Sequence, residues 1–380
     1  MGLFPLTVTA LLAASLPLAT AARTYSVEMA DSFITRGVTA SRGYTQAVLY
    51  RGFETVYNKT SDAKYYNYIK SQVDSFVGTS GKLTGYSETS ESLDDIRIGP
   101  TLLFLYSKTG DKRYKTAADQ LRAQLRRQSR TPSGGFWHRK PAYPNQMWLD
   151  GIYMADVFYA QYTSWFQPTN TSAWNDIILQ YDLIEQHCRD TTSGLLFHGY
   201  DESKVAVWAN PTTGACPNVW DRAVGWYVMA LLDTLDYFPK SHSGYNKLLS
   251  YYKTLADALV KSFDTTKNGW WLVMNAPYPG KKGNYIESSG TAMFTYGLLK
   301  GVRLGYISGS RYTDVAYKAY DQMTQQFVKN ATGGTLNWEG TVEVGSLSSN
   351  GSYEVSQLPF LNRVSIDKAL TWFSTISQYR

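Results

Sequence analysis

Along most of the chain the apolar positions recur at helical spacing, broken by Gly, Pro, Ser and Asn, and strand-like alternation is sparse. The helical pattern comes in two kinds. The segments "SDAKYYNYIKSQVDSFV" from Ser61, "TGDKRYKTAADQLRAQL" from Thr109, "TSAWNDIILQYDLI" from Thr171, "SGYNKLLSYYKTLADAL" from Ser243 and "SRYTDVAYKAYDQM" from Ser310 are alike. Each opens with a capping residue and an early aromatic, then continues as a helix with a single apolar stripe. Their starts lie roughly 50 to 70 residues apart, a period that marks stacked helical units. Between them run segments that are apolar on nearly every side, beginning near Tyr44, Asp94, Leu149, Arg222, Ser288 and Val364. A helix apolar all round belongs inside, and one with a single stripe belongs outside. With the N-terminal "YSVEMADSFITRG" there are six of each kind. The prediction is an all-α fold, an (α/α)6 barrel of six hairpins forming one domain over residues 23–380. Closure into a ring leaves no exposed end that needs a cap.

In such a ring the inner helices run parallel, so their N-terminal ends open on one face. That brings Tyr44, Asp94, Asp150, Arg222 and Trp226 to one funnel mouth, where the positive helix ends favour an anion. Asp150, in "PNQMWLDGIYMADVF", reads either as a helix N-cap or as a catalytic acid whose proton is held by apolar neighbours. In "LFHGYDESKVAVWANPTTGACPNVWDRAVGWYVMALLDTL", His198 begins a Gly-containing loop, and Trp220, Arg222 and Trp226 enter an inner helix. Arginine offers a planar fork for a carboxylate, and indole faces offer a platform for a sugar ring. Equally, Arg222 could pair with Asp221 or Asp201 and the tryptophans could be core. His138, Arg139 and Lys140 in "GGFWHRKPAYPNQMWLDG" read as a basic wall of the same pocket or as an exposed loop. Asp94 and Asp95 read as one cap and one solvated charge, or as a carboxylate that faces Asp150 and helps to keep its proton.

With 43% apolar and 18% charged residues in 380, the chain can bury a large core. Residues 1–22 read as a secretory leader ending in Ala19-Thr20-Ala21, with cleavage after Ala21 or Ala22, and no later stretch is apolar enough to span a membrane. Sequons at Asn58, Asn170, Asn330 and Asn350 fit a secreted glycoprotein, whereas Asn210-Pro211-Thr212 is excluded by its proline. Cys188 and Cys216 read as one disulfide or as two buried thiols. The net charge of +6 is clustered only in "LRAQLRRQSR" at 121–130, which reads as a solvated helix face rather than a nucleic-acid patch.

Taken together, "QMWLDGIYMADVF", "LFHGYDES", "WDRAVGWYVMAL" and "ESSGTAMFTYGLLKGVRLGY" resemble glycoside hydrolase family 105, the unsaturated rhamnogalacturonyl hydrolases. The resemblance runs from about Tyr44 to the closing "VSIDKALTWFSTI" and implies the same (α/α)6 barrel. It implies action on the 4,5-unsaturated galacturonyl residue that pectin lyases leave at a non-reducing end. Asp150 would protonate C4 and then, as a base, activate water to attack C5. The hemiketal so formed rearranges and releases the leaving sugar. By the same resemblance Asp94 orients substrate and polarises Asp150, and His198, Trp220, Arg222 and Trp226 bind the sugar. His138 with one of Arg139 or Lys140 meets the uronate carboxylate, and Tyr44 joins the set. This chemistry calls for no metal or organic cofactor. The chain departs from the family in having Asp221 where glycine is common, and in an "HRKPAYP" segment one residue longer than usual.

Three other readings compete. A related unsaturated glucuronyl hydrolase would share barrel and chemistry on glycosaminoglycan- or gellan-type sugars. A two-carboxylate glycosidase would use Asp94 and Asp95 on saturated polysaccharide. A carbohydrate-binding toroid would bind sugar without reaction.

Overall fold

A computed structural model describes residues 24–353. The leader at 1–22 and the inner helix expected near Val364 lie outside the described residues. Within them the predicted alternation is present. The outer helices are α1 (Tyr25–Arg36), α3 (Ala63–Asp74), α5 (Lys112–Arg127), α8 (Thr171–Cys188), α10 (Ser243–Lys261) and α12 (Ser310–Gln326). The inner ones are α2 (Tyr44–Thr60), α4 (Gly99–Thr109) with a leading 3-10 turn Leu93–Ile98, a three-part helix beginning at Leu149, α9 (Asp221–Leu235) and α11 (Ser288–Arg303).

Burial follows the two sequence patterns. Every residue of α9 is buried, and in α11 all but the last two. On α3 only Tyr65, Ile69 and Val73 are buried, one stripe at four-residue spacing. The caps sit one or two residues from the expected starts: Asp62, Asp111, Asn170 and His242 each accept a first-turn N–H. The basic run at 121–130 is a solvated face only at Arg126 and Arg127. Arg122 is buried beside the ring of Tyr159, and Arg130 makes a two-pronged pair with Asp176. No helix of the described residues is long and apolar enough to cross a membrane.

The helix after Asp150 is irregular. A single α turn α6 (Leu149–Gly151) passes into a π turn, Ile152–Asp156, before α7 (Val157–Phe166) resumes. Such widened turns concentrate at functional sites. Asp156, at the end of the π turn, is 1% exposed, and neither carboxylate oxygen has a hydrogen-bond partner. Burial, and then the charge of Asp176, hold its pKa well above the ordinary carboxylate range, with Arg130 opposing. The folded state therefore keeps a proton that the unfolded chain releases above about pH 4. Stability falls as pH rises through the window above that value. Asp156→Asn should match wild type near pH 4 in urea unfolding. It should then gain on it by about 1.4 kcal/mol for each pH unit up to the folded pKa.

At the N-terminal ends of the inner helices, the connecting loops are sewn to one another by short antiparallel contacts. Ser92 bridges Arg139, and the Leu93 N–H donates to the His138 carbonyl (3.1 Å). Strand β1 (Gln146–Trp148) pairs with β2 (Gly199–Asp201), setting Trp148 opposite Gly199. The His198 N–H reaches the Asn218 carbonyl (3.2 Å), Trp220 bridges Val273, and the Ser288 N–H reaches the Gly340 carbonyl (3.0 Å). This belt fixes residues far apart in sequence at one mouth. Beyond it, β3 (Val328–Asn330) and β4 (Leu336–Trp338) form a hairpin after α12.

Candidate active site

The mouth opens into a cavity of about 870 Å3, counting its open end. Tyr44, Asp94, His138, Arg139, Asp150, Trp220, Arg222 and Trp226 all line it. His198 stands behind Asp150, with Nε2 2.9 Å from Oδ2. The belt explains this pairing: β1 and β2 align 148 with 199, and the Leu149 N–H donates to the His198 carbonyl (3.0 Å). Asp150 itself is not an N-cap. Trp148 holds that position without a side-chain bond, and Asp150 projects from the second residue of the helix.

Aromatic walls shape the space. His138 stacks on Trp148 (4.5 Å, 11°), and His198 stacks on Trp220 (5.1 Å, 19°). At the floor Trp226 stacks on Tyr153 (5.0 Å), beneath which lies the Arg97 guanidinium. Flat indole faces around one open volume suit a sugar ring.

The charges differ from the sequence expectation. Apolar surroundings do push the Asp150 pKa up, but the charge and hydrogen bond of His198, and then His138, outweigh burial and leave it below the ordinary carboxylate value. Asp150 thus rests as a carboxylate rather than as an acid kept protonated by its apolar neighbours. Nor does Asp94 act as the carboxylate that helps to hold its proton. Asp94 is hydrogen-bonded to Arg139, and its Oδ1 is 3.8 Å from His138 Nε2. Burial lowers the His138 pKa, against the opposing charges of Asp94 and Asp150. Of Arg139 and Lys140, Arg139 lines the cavity, whereas Lys140 pairs with Glu91 (3.2 Å). Asp95 is held by Arg42 and by the Ser90 hydroxyl (both 2.6 Å) and does not line the cavity.

Arg222 pairs with neither Asp221 nor Asp201 through its guanidinium. Its Nε donates to Ser289 Oγ (2.7 Å), and Nη2 reaches Glu287 (3.3 Å) and the Val342 carbonyl. Nη1 reaches the Glu343 carbonyl (3.4 Å), and the guanidinium lies 5.0 Å from the Trp220 ring.

Several lining residues were not found by motif: Thr45, Val48, Tyr143, Met154 and, in the strap Val342–Ser346, Val344, Gly345 and Ser346. Tyr143 packs on Trp148 (4.4 Å) and lies inside the stretch already read as a wall, so its aromatic ring was an available signal. The strap carries no chemical signature. Gly345 presses on the indole of Trp220 so closely that a Cβ would lie 2.4 Å from it. Cys188 and Cys216 are buried free thiols. The His198 segment runs between them, pairing with 189 on one side and 215 on the other. Among the described residues no three His, Cys, Asp or Glu side chains gather as metal ligands.

Comparison with known proteins places this geometry. In sequence, 277 residues are 24% identical to the unsaturated rhamnogalacturonyl hydrolase of Bacillus subtilis, covering 72% of each protein. A 116-residue segment is 40% identical to an Agrobacterium fabrum protein. That segment is 30% of this chain and 48% of that protein, so the chain spans about half the length of that curated relative. In structure, a C. acetobutylicum glycoside hydrolase from family 105 superposes with a TM-score of 0.87 at 36% identity, over 93% of this chain and 98% of that one. The sequence model of Glycosyl Hydrolase Family 88 matches residues 22–358, a span that takes in the whole belt and every residue lining the cavity, and the chain belongs to that family of glycosidases.

Proposed function

We propose that the chain removes a 4,5-unsaturated galacturonyl residue from the non-reducing end of lyase-generated rhamnogalacturonan oligosaccharides, by hydration of the C4=C5 bond. The observation that carries this reading is that, of the two carboxyls lining the cavity, Asp150 is the one with no arginine bonded to it. Asp150 faces the space with only His198 bonded to it, while Asp94 is tied to Arg139 and Asp95 to Arg42. A two-carboxylate glycosidase needs a second free acid or base across the sugar. Hydration of a vinyl ether needs one group that first gives a proton and then takes one.

The steps balance as follows. A proton passes from Asp150 to C4, the C4=C5 π electrons form the new C–H bond, and the ring oxygen stabilises the cation at C5. The Asp150 carboxylate then takes a proton from water as its oxygen bonds to C5. The hemiketal opens to a keto-uronate and releases the leaving sugar, for a net uptake of one water. The resting carboxylate acquires its proton in the complex. An incoming uronate adds negative charge beside Asp150 and displaces water, both of which favour the protonated form. Arg222, Arg139 and His138 line the space on which that uronate would bear.

Two features support a deoxy-sugar as the leaving group. The B. subtilis relative bears the name of an unsaturated rhamnogalacturonyl hydrolase. Val344, 48% exposed on the strap, offers an apolar contact that the methyl group of a 6-deoxy sugar would cover. We also read the protein as secreted, on the leader at 1–22 and the exposed sequon residues Asn58, Asn330 and Asn350. Endoglycosidase treatment of the secreted protein should sharpen its mass.

The test is to follow the ultraviolet band of the unsaturated uronate on lyase-treated rhamnogalacturonan. Loss of the band is expected. Loss only with glucuronyl disaccharides would favour the glucuronyl hydrolase reading, and cleavage of saturated polysaccharide would overturn both. Arg222→Lys cannot reproduce a fork held by Ser289, Glu287 and Val342. We expect its KM to rise by about 10- to 100-fold, with a smaller change in kcat, in steady-state assays of the same substrate.

A further inference from the structure

Behind Arg222, on the side away from the cavity, lie two acids that the reaction does not use. Asp221 and Glu287 are both 0% exposed. Glu287 caps α11 and is fully engaged. Its Oε2 accepts the Gly290 N–H (2.7 Å), Oε1 accepts the Val342 N–H (3.0 Å) and Arg222 Nη2 (3.3 Å), and the Ser289 hydroxyl lies within 3.0 Å of both oxygens. One carboxylate thereby ties together the first turn of α9, the start of α11 and the strap. Asp221 opens α9. Its Oδ1 accepts the Arg222 N–H (2.8 Å), and its Oδ2 receives no donor from the protein. That oxygen lies against Gly290, where a Cβ would come within 2.1 Å of it, so both carboxyls meet around one glycine.

Two buried like charges in contact cannot both ionise, and a single guanidinium balances only one of them. Burial, and then Glu287, hold the Asp221 pKa well above the carboxylate range, with Arg222 opposing. The hydrogen that would satisfy Oδ2 is therefore its own, donated towards Glu287.

We propose that Asp221 is a positioning residue whose carboxyl shares one proton with Glu287, so that the pair acts as a single negative charge that fixes Arg222 and the Val342–Ser346 strap to receive an anionic sugar. With the proton, Arg222 and the pair sum to zero charge. Without it, the wall that faces the uronate becomes net negative. Loss of the Asp221 side chain would leave Glu287 to hold the guanidinium and the strap without its partner. The proposal rests on the reading of an anionic substrate given above.

The test compares Asp221→Asn with Asp221→Ala. Asn keeps the shape, a neutral state and a donor for Glu287, so it should recover most of the wild-type KM. Ala should raise KM by about tenfold while kcat changes by less than about threefold. An Ala variant with wild-type KM, or an Asn variant as poor as Ala, would overturn the proposal. A second readout needs no substrate and no Ala variant. The infrared difference between wild type and Asp221→Asn at neutral pH should contain the carbonyl stretch of a protonated carboxyl, and its absence would also overturn the proposal. If wild type consumes no unsaturated uronate, it is the functional reading that fails, and the infrared band still decides the shared proton.

Discussion

Asp150→Asn is expected to lower turnover of unsaturated oligosaccharide by about 10^3-fold or more, because in the proposed hydration one carboxyl performs both proton transfers and each contributes about 10^2- to 10^4-fold. Asparagine is isosteric and retains a polar contact to His198 Nε2, now 2.9 Å from Asp150, and the stacked His198–Trp220 wall should stand. Binding should therefore persist: calorimetric Kd for the substrate should stay within about tenfold of wild type while single-turnover rates collapse. That split separates loss of chemistry from loss of the pocket. Asp94→Asn should be milder, about 10- to 100-fold, since in the proposed scheme Asp94 holds Arg139 and His138 and exchanges no proton. If Asp94→Asn proves the more damaging of the two, Asp150 is not the acid and the hydration scheme fails.

The fold was legible because burial on all sides leaves a mark in composition that no outer helix shares. The sequences of α9 and α11 contain little that water could solvate, and both are buried through nearly their whole length. The convergence of Asp150, Arg222, Trp226 and Tyr44 followed from that topology, since parallel inner helices present their first turns to one face. The protonation state of Asp150 was not legible. Its chain neighbours Trp148, Leu149 and Ile152 are apolar, but the groups that decide its charge arrive from 138 and 198 through the belt of backbone bridges. The strap over Trp220 was hidden for a related reason. What it contributes is the missing side chain of Gly345 and two main-chain carbonyls for Arg222, none of which a motif announces. The π turn after Asp150 is likewise a property of packing rather than of pattern.

His198→Ala tests the charge balance at Asp150 directly. Burial raises the Asp150 pKa, and the charge of His198, then its hydrogen bond, are the largest forces holding it down. Removing the imidazole leaves burial opposed mainly by His138, so the carboxyl pKa should move up. In kcat/KM profiles the alkaline fall should shift to higher pH, while the maximum drops by about 10^2-fold because the hydrogen-bond partner that orients the Asp150 carboxyl is gone. His198→Gln keeps a donor but not the charge, so its shift should lie between those of wild type and Ala. Unfolding supplies an independent sign. In wild type the depressed pKa adds stability above about pH 4 that is lost as pH falls through the folded value. In His198→Ala a raised pKa makes the same group cost stability as pH climbs above that range. Superimposable pH profiles for all three proteins would mean that some other pair sets the titration, and that Asp150 receives its proton by a route that does not pass through His198.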